Sequence, residues 1–245
     1  MRRFFCPELK HSDAVVRIRD PKEIHHLKNV LRFKVGGAIE IFNGQGLDAQ
    51  GTIVSIQNDA VEIKITHVQT VPAKKITVIL ACAIPKRAKF ETIIEKATEL
   101  GVDKIIPLIT KRTEFSVPLD KRHKKNLRYQ TVAVNAAKQC QRQTIPLIHP
   151  ITPLKDVLAL LTKEELCLIP CLTGSRETLQ EIFLKSEKIR RRIIFFIGPE
   201  GDFTDEEIIL AKTNGCIPIS LGKTVLKVDT AAIAVLSFIR LSIRE

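Results

Sequence analysis

The period at which apolar residues recur changes once along the chain. Over the first third they alternate with polar residues, in AIEIF (38–42), LDAQGTIVSIQ (47–57) and AVEIKITHV (60–68), with NGQG at 43–46 as hairpin punctuation. Alternation at a period of two marks strands with one buried face, so this region reads as a compact β-rich barrel. One short helix interrupts it. Asp20 is an N-cap, Pro21 occupies the first helical position, and Glu23 completes a capping box, so the helix is predicted to run through His25, His26 and Leu31. QTVPAKK at 69–75 ends the alternation with a proline and lysines and reads as a linker, which predicts domains of 1–72 and 73–245.

Beyond Ile76 the apolar positions run together instead. ITVILACAI (76–84), KIIPLI (104–109), LCLIP (166–170), RIIFFI (192–197) and CIPISL (216–221) are short continuous runs, the pattern of strands buried on both faces of a parallel sheet. Helical segments separate them, the clearest being KFETIIEKATELG (89–101). There Phe90, Ile93, Ile94, Ala97 and Leu100 form one stripe, and Gly101 supplies the C-terminal cap. The second domain is therefore predicted to be α/β, a sheet covered by helices on both faces.

Ligands of open α/β sheets bind beyond the carboxyl ends of the strands. Two connections stand out there. Ile193 to Ile197 lead into Gly198, Pro199, Glu200 and Gly201, and Thr204 with Glu207 then forms a capping box that starts a helix. Glycines at this point expose backbone amides and remove side chains that would block a ligand. After CIPIS, Leu221 and Gly222 open a similar loop, LGKTVLKVD, ahead of an apolar helix from Thr230. Each is also compatible with an ordinary strand-to-helix turn; as a pair they can form two walls of one pocket. Neither GxGxxG nor GxxxxGK[ST] occurs, so dinucleotide and nucleoside triphosphate sites are not signalled.

Composition adds a partner. The formal charge is +12, and residues 73–245 carry 29 Lys+Arg against 19 Asp+Glu, whereas residues 1–72 carry 10 against 8. The excess gathers in KRHKKNLR (121–128), in KIRRR (188–192) and at Lys86, Arg87 and Lys89. A charge run can be a solvated helix face, but three in one basic chain favour a phosphate-rich partner, nucleic acid first. With no Trp and one Tyr, extensive base stacking is not expected. TAAIAVLSFI (230–239), the longest uncharged apolar stretch, is about half of the ~20 residues that a membrane span needs, and MRRFFCPELK has no signal-peptide core. No membrane partner and a cytoplasmic location are expected. Six cysteines without a Cys-x-x-Cys pair read as buried reduced thiols, and the spacing of Cys167 and Cys171 is a poor metal site, so no metal is expected.

At these residues the chain resembles the small-subunit (16S) ribosomal RNA uracil-N3 methyltransferases of the SPOUT superfamily. The resemblance spans MRRFF at the start, HHLKNVLRFKVG (25–36), IPKRAKFETIIEKATELGVDKIIPL (84–108), the spacing of Gln139, Arg142 and Pro146, GPEG (198–201), and LG followed by TA (221–231). It implies an N-terminal PUA-like barrel that holds RNA, a C-terminal α/β domain with a trefoil knot that binds S-adenosyl-L-methionine, and a homodimer. General folding rules make knots very rare, so only the resemblance implies one. By the same resemblance the cofactor falls to Leu172, Ile197, Gly198, Pro199, Glu200, Gly201, Leu221, Gly222, Val225, Leu226 and Thr230, and catalysis to Lys227, Asp229 and Arg142. RNA contacts are expected from Arg2, Arg3, His26 and Arg32 in the first domain, and from Lys86, Lys121, Arg122, Lys124 and Lys125 in the second.

The departures bear on chemistry. The family usually reads GPEGG and LGxRILRTETA; here Asp202 follows the second glycine, Thr224 and Lys227 replace the two arginines, and Asp229 replaces the glutamate. Asn135 and Cys140-Gln141 stand where the family favours Glu and Ser-Gly. Lysine keeps the charge but loses the planar fork of arginine. Lys227 or Arg142 would stabilise charge developing on uracil as the N3 proton leaves, and Asp229 would orient that cation, accept the proton, or simply cap the helix ahead of Thr230. His26 and its neighbour His25 fit a structural role as well as an RNA contact. Two other readings stay open: an RNA-binding assembly factor without catalysis, and methylation of another RNA atom such as a ribose 2′-hydroxyl.

Overall fold

A computed structural model describes residues 3–72, 74–86, 89–113, 117–172, 174–185 and 191–242. The chain divides into two compact units, Met1–Ala73 with Ala137–Ile145, and Lys74–Ala136 with Pro146–Glu245.

The first unit is a five-stranded sheet in the order β1-β3-β4-β5-β2, formed by β1 (Arg3–Phe5), β2 (Val15–Ile18), β3 (Ala38–Phe42), β4 (Leu47–Ile56) and β5 (Val61–Thr70). β1 runs parallel to β3 and the other pairs are antiparallel. Among the described residues the edges β1 and β2 do not pair with each other. The sheet's inward positions, Phe4, Ile18, Ile41, Ile53 and Ile63, join Leu27 in one core. Gly51 lets β4 and β5 close up at a bulge, since a Cβ there would lie 2.6 Å from both Ile63 Cγ2 and the Lys64 carbonyl.

Two expectations change in this unit. The helix α1 (Pro21–His25) is short, capped by the Asp20 carboxylate, which accepts from the Lys22 N–H at 2.7 Å. It continues as a π-helical turn, His26–Val30, which ends at Arg32 with a left-handed φ of 52°. Arg3, expected to touch RNA, is buried instead: its guanidinium pairs with Asp48 and lies 4.1 Å from the centre of the Phe42 ring. Alternation along β1 puts Arg3 on the face opposite Phe4, where the Phe42 ring covers it and Asp48, 45 residues away, neutralises it.

The second unit holds β6 (Thr77–Ala83), α2 (Lys89–Glu99), β7 (Lys104–Ile109), α3 (Leu119–Gln139), β8 (Leu147–Ile148), β9 (Thr152–Pro153) and α4 (Leu154–Leu158). It continues with β10 (Glu165–Pro170), β11 (Glu177–Thr178), α5 (Leu179–Lys185), β12 (Arg192–Ile197), α6 (Asp205–Thr213), β13 (Ile217–Ser220) and α7 (Val228–Ser242). All its strand pairs are parallel, in the order β11-β13-β10-β12-β6-β7-β8, with β9 beside β7. On one face Ile79, Ala81, Ile169, Ile194 and Phe196 pack with Leu154, Leu158 and Ala211 of α4 and α6. The alternate residues Leu80, Leu168 and Phe195 turn to the other face, where α7 lies on β6 and β12 and packs against α2. The apolar runs are thus buried on both sides, as their lack of alternation predicts.

The end of α3 and the loop after it group with the first unit. There the Lys138 ammonium meets both carboxylate oxygens of Glu23, at 2.6 and 2.8 Å. Glu23 therefore does not close the capping box expected of it. The loop adds backbone bonds from the Gly46 N–H to the Gln143 carbonyl and from the Ile145 N–H to the Gly44 carbonyl.

Candidate functional site

Strand order builds the site. β13, β10 and β12 are neighbours and parallel, so their carboxyl ends lie side by side on one edge of the sheet. The loops that follow them enclose a cleft. Cys171, Leu172 and Arg176 come from the first loop, Gly198, Pro199, Glu200 and Asp202 from the second, and Leu221, Gly222, Thr224, Val225 and Leu226 from the third, while Pro170, Ile197, Val228 and Ala231 complete the lining.

The loop after β12 is fixed from several directions. Glu200 accepts the Lys86 N–H at 3.0 Å, and Arg112 donates to the Gly201 carbonyl at 2.7 Å and to the Phe203 carbonyl at 3.3 Å. Asp202 holds a left-handed φ of 60°, and its carboxylate accepts the Phe203 N–H at 2.8 Å and the Leu172 N–H at 3.3 Å, which ties this loop to the one after β10. Aspartate is among the few residues that tolerate this backbone region, which is why it can stand where the resembled family has glycine. The capping box predicted at Thr204 and Glu207 is present, and Glu207 also accepts the Lys111 N–H at 2.8 Å. Gly198 is close-packed, since a Cβ there would lie 3.2 Å from the Phe203 ring and from the Asp202 carboxylate.

The loop after β13 is open by comparison. Gly222 has φ +114°, with nothing within 4 Å of a built Cβ, and Val225 is 75% exposed. Lys227 is exposed, and its carbonyl accepts the Ala231 N–H at 2.8 Å. Helix α7 therefore starts two residues earlier than expected, which puts half-buried Asp229 inside its first turn and not at a cap ahead of Thr230. The cleft thiol of Cys171 is pushed up by burial and then by the nearby Asp202 carboxylate, so it stays protonated near neutrality.

Nine of the expected cofactor residues line this cleft: Leu172, Ile197, Gly198, Pro199, Glu200, Leu221, Gly222, Val225 and Leu226. Gly201 and Thr230 are exposed and outside the lining, as is the Lys227 side chain. Arg142 belongs to the other unit, where its Nε donates to Thr144 Oγ1 at 3.1 Å. The sequence reading missed Arg176 and Asp202. For Arg176 the apolar end of LCLIP gave the signal, because the rule applied to the other two strands applies to this one.

Of the expected RNA contacts, Arg2 lies outside the described residues. His26 is half-buried, edge-on to the Phe4 ring at 5.9 Å, and serves packing; Arg32 and Lys86 are exposed. On α3, Lys121, Lys124, Lys125 and Arg128 are spaced to share one face. Lys121 and Lys124 are exposed, whereas Arg122 is half-buried and donates to the Val117 carbonyl at 3.1 Å. The Lys125 ammonium lies 5.8 Å from the Tyr129 ring centre, its pKa lowered by burial. Among the described residues no cluster of three or more His, Cys, Asp or Glu could hold a metal, and no helix is long and apolar enough to cross a membrane.

Residues 72–240 match the family model of the RNA methyltransferase domain, and residues 18–66 match that of the RNA methyltransferase PUA domain. The chain is 30% identical over 232 residues to ribosomal RNA small subunit methyltransferase E of Rickettsia conorii, covering 94% of this chain and 91% of that protein. A methyltransferase of Legionella pneumophila, solved with bound S-adenosylmethionine, superposes with a TM-score of 0.87 at 30% identity, over 98% of this chain and 97% of that one. The small subunit methyltransferase E of Neisseria gonorrhoeae, also bound to S-adenosylmethionine, gives 0.87 at 26% identity with the same coverage.

Proposed function

Because the chain belongs to the RNA methyltransferase family that joins a PUA domain to a methyltransferase domain, we propose that it methylates N3 of a uridine in 16S ribosomal RNA, using S-adenosyl-L-methionine. The observation that carries this reading is the cleft at the carboxyl ends of β10, β12 and β13.

Its chemistry fits that cofactor. Ile197, Leu221, Leu226, Val228 and Ala231 offer an apolar surface to an adenine ring, and Glu200, Asp202 and Arg176 add charges of both signs for a zwitterionic amino-acid end. Gly222 leaves open space beside the backbone. The bound cofactor supplies an electrophilic methyl on a sulfonium. The protein's own part is to position the base and to stabilise the charge it acquires as the N3 proton leaves. Lys227 is exposed on the less fixed wall, outside the cofactor lining, which suits a residue that meets an incoming base. Asp229, in the first turn of α7, is the candidate to take the proton. Arg142 is the second candidate cation.

The RNA is held through phosphates, by Lys121 and Lys124 on α3 and by Arg32. Arg3 drops out of this list, for it is buried and paired with Asp48. A homodimer is expected from the family resemblance, and the cytoplasm is the compartment in which ribosomal RNA would be met; sedimentation checks the first.

Mapping modified nucleosides in 16S RNA from cells lacking the gene tests the reading. Loss of one N3-methyluridine supports it; loss of a 2′-O-methyl group instead moves the acceptor. If calorimetry detects no S-adenosylmethionine binding, the non-catalytic assembly factor is the better account.

A further inference from the structure

Among the described residues lining the cleft, Arg176 is the one cationic side chain, and Glu200 and Asp202 are the two anionic ones. The carboxylates are already oriented: Glu200 accepts the Lys86 N–H, and Asp202 accepts the N–H groups of Phe203 and Leu172. Arg176 is oriented too, because its Nη1 donates to the Cys171 carbonyl at 3.0 Å, on the loop it shares. A guanidinium carries five N–H donors, so this bond fixes the group while others remain to meet an anion.

We infer that Arg176 binds the α-carboxylate of the cofactor's amino-acid end and so separates S-adenosylmethionine from adenosine-type ligands that lack it. The inference rests on the cofactor reading above. An amino-acid zwitterion needs a cation for its carboxylate and anions for its ammonium and sulfonium. The cleft supplies one of the first and two of the second. A carboxylate placed beside Glu200 or Asp202 would meet like charge, which leaves Arg176 as its favourable side-chain partner. The apolar lining is indifferent to that end of the ligand and would hold the adenosine part alone.

The test compares ligands that differ only at that end, with the full-length protein and calorimetry. Arg176→Ala is expected to weaken S-adenosylmethionine about tenfold or more, the usual range for a charge-assisted hydrogen bond. S-adenosylhomocysteine keeps the carboxylate and should weaken by the same factor. 5′-Deoxy-5′-methylthioadenosine lacks the amino acid and should bind within about twofold of wild type; this also certifies that the variant's cleft is intact. Arg176→Lys, which keeps charge without the fork, should fall between. Equal loss for all three ligands, or no loss for any, overturns the assignment. If the wild-type protein binds neither S-adenosylmethionine nor methylthioadenosine, the cofactor reading itself falls, and this inference with it.

Discussion

Two walls of one cleft leave the same edge of the same sheet by the same kind of connection, yet they are held very differently. The wall after β12 is clamped by Arg112, by the Glu200 and Asp202 carboxylates and by the Thr204 capping box. The wall after β13 has a Ser220 to Gly222 contact at 3.3 Å and exposed side chains at Val225 and Lys227. A fixed wall gives a preorganised binding surface, and a looser one can admit a large acceptor such as RNA. The departures from the family pattern divide along the same line. Asp202 replaces a glycine on the fixed wall and supplies bonds to it, whereas Thr224 and Lys227 replace arginines on the open one.

The sharpest way to break the comparison is to disturb the fixed wall at its tightest point. Gly198→Val places methyl groups against the Phe203 ring and the Asp202 carboxylate, where a Cβ alone would sit at 3.2 Å. The wall must move, and S-adenosylmethionine affinity should fall by more than about a hundredfold while a cooperative thermal transition remains. Normal affinity in calorimetry would show that this loop is not the cofactor wall.

On the open wall the expected loss is in chemistry. Lys227→Met should lower the methyl-transfer rate about a hundredfold, on the order of 3 kcal/mol, with cofactor affinity changed little. Lys227→Arg should preserve or raise the rate. A wild-type rate for the Met variant would return Lys227 to the solvent-facing helix start it also resembles, and would leave Arg142 as the cation to examine.

What local patterns carry was readable before folding. KIIPLI and RIIFFI coincide with β7 and β12, and AIEIF with β3, because each strand's burial is written in its own residues. Thr204 and Glu207 cap their helix because the box is made within four residues. The charged residues that were misread failed for long-range reasons. Arg3 reads as surface charge until Asp48 is brought beside it, and Glu23 reads as half of a capping box until Lys138 claims it from 115 residues away. β1, β8, β9 and β11 are only two or three residues long, too short for any period. The third wall was seen only through Leu172, since nothing in its sequence says that β10 lies between β12 and β13.

A smaller effect follows from the conformation of Gly222. Its φ of +114° is one that side chains rarely adopt, but the space around it is empty, so Gly222→Ala fails only through backbone strain. The expected cost is about 1 kcal/mol, seen as a roughly fivefold weaker cofactor affinity. A loss as large as that of Gly198→Val would mean that the open wall is as tightly constrained as the fixed one.

The smallest change is expected where two effects oppose each other. Asp202→Gly removes the acceptor for the Phe203 and Leu172 N–H groups, a loss of about 1 kcal/mol, but it also removes the strain of a left-handed non-glycine residue, a gain of about the same size. The unfolding temperature should therefore stay within about 2 °C of wild type. Asp202→Ala keeps the strain and loses the bonds, so it should be destabilised by about 1 to 2 kcal/mol, or roughly 2 to 8 °C in a chain of this size. If glycine is as damaging as alanine, the carboxylate is the main support of this wall. If alanine is as harmless as glycine, the clamp rests on Arg112 and Glu207, and Asp202 only tolerates the turn in which it stands.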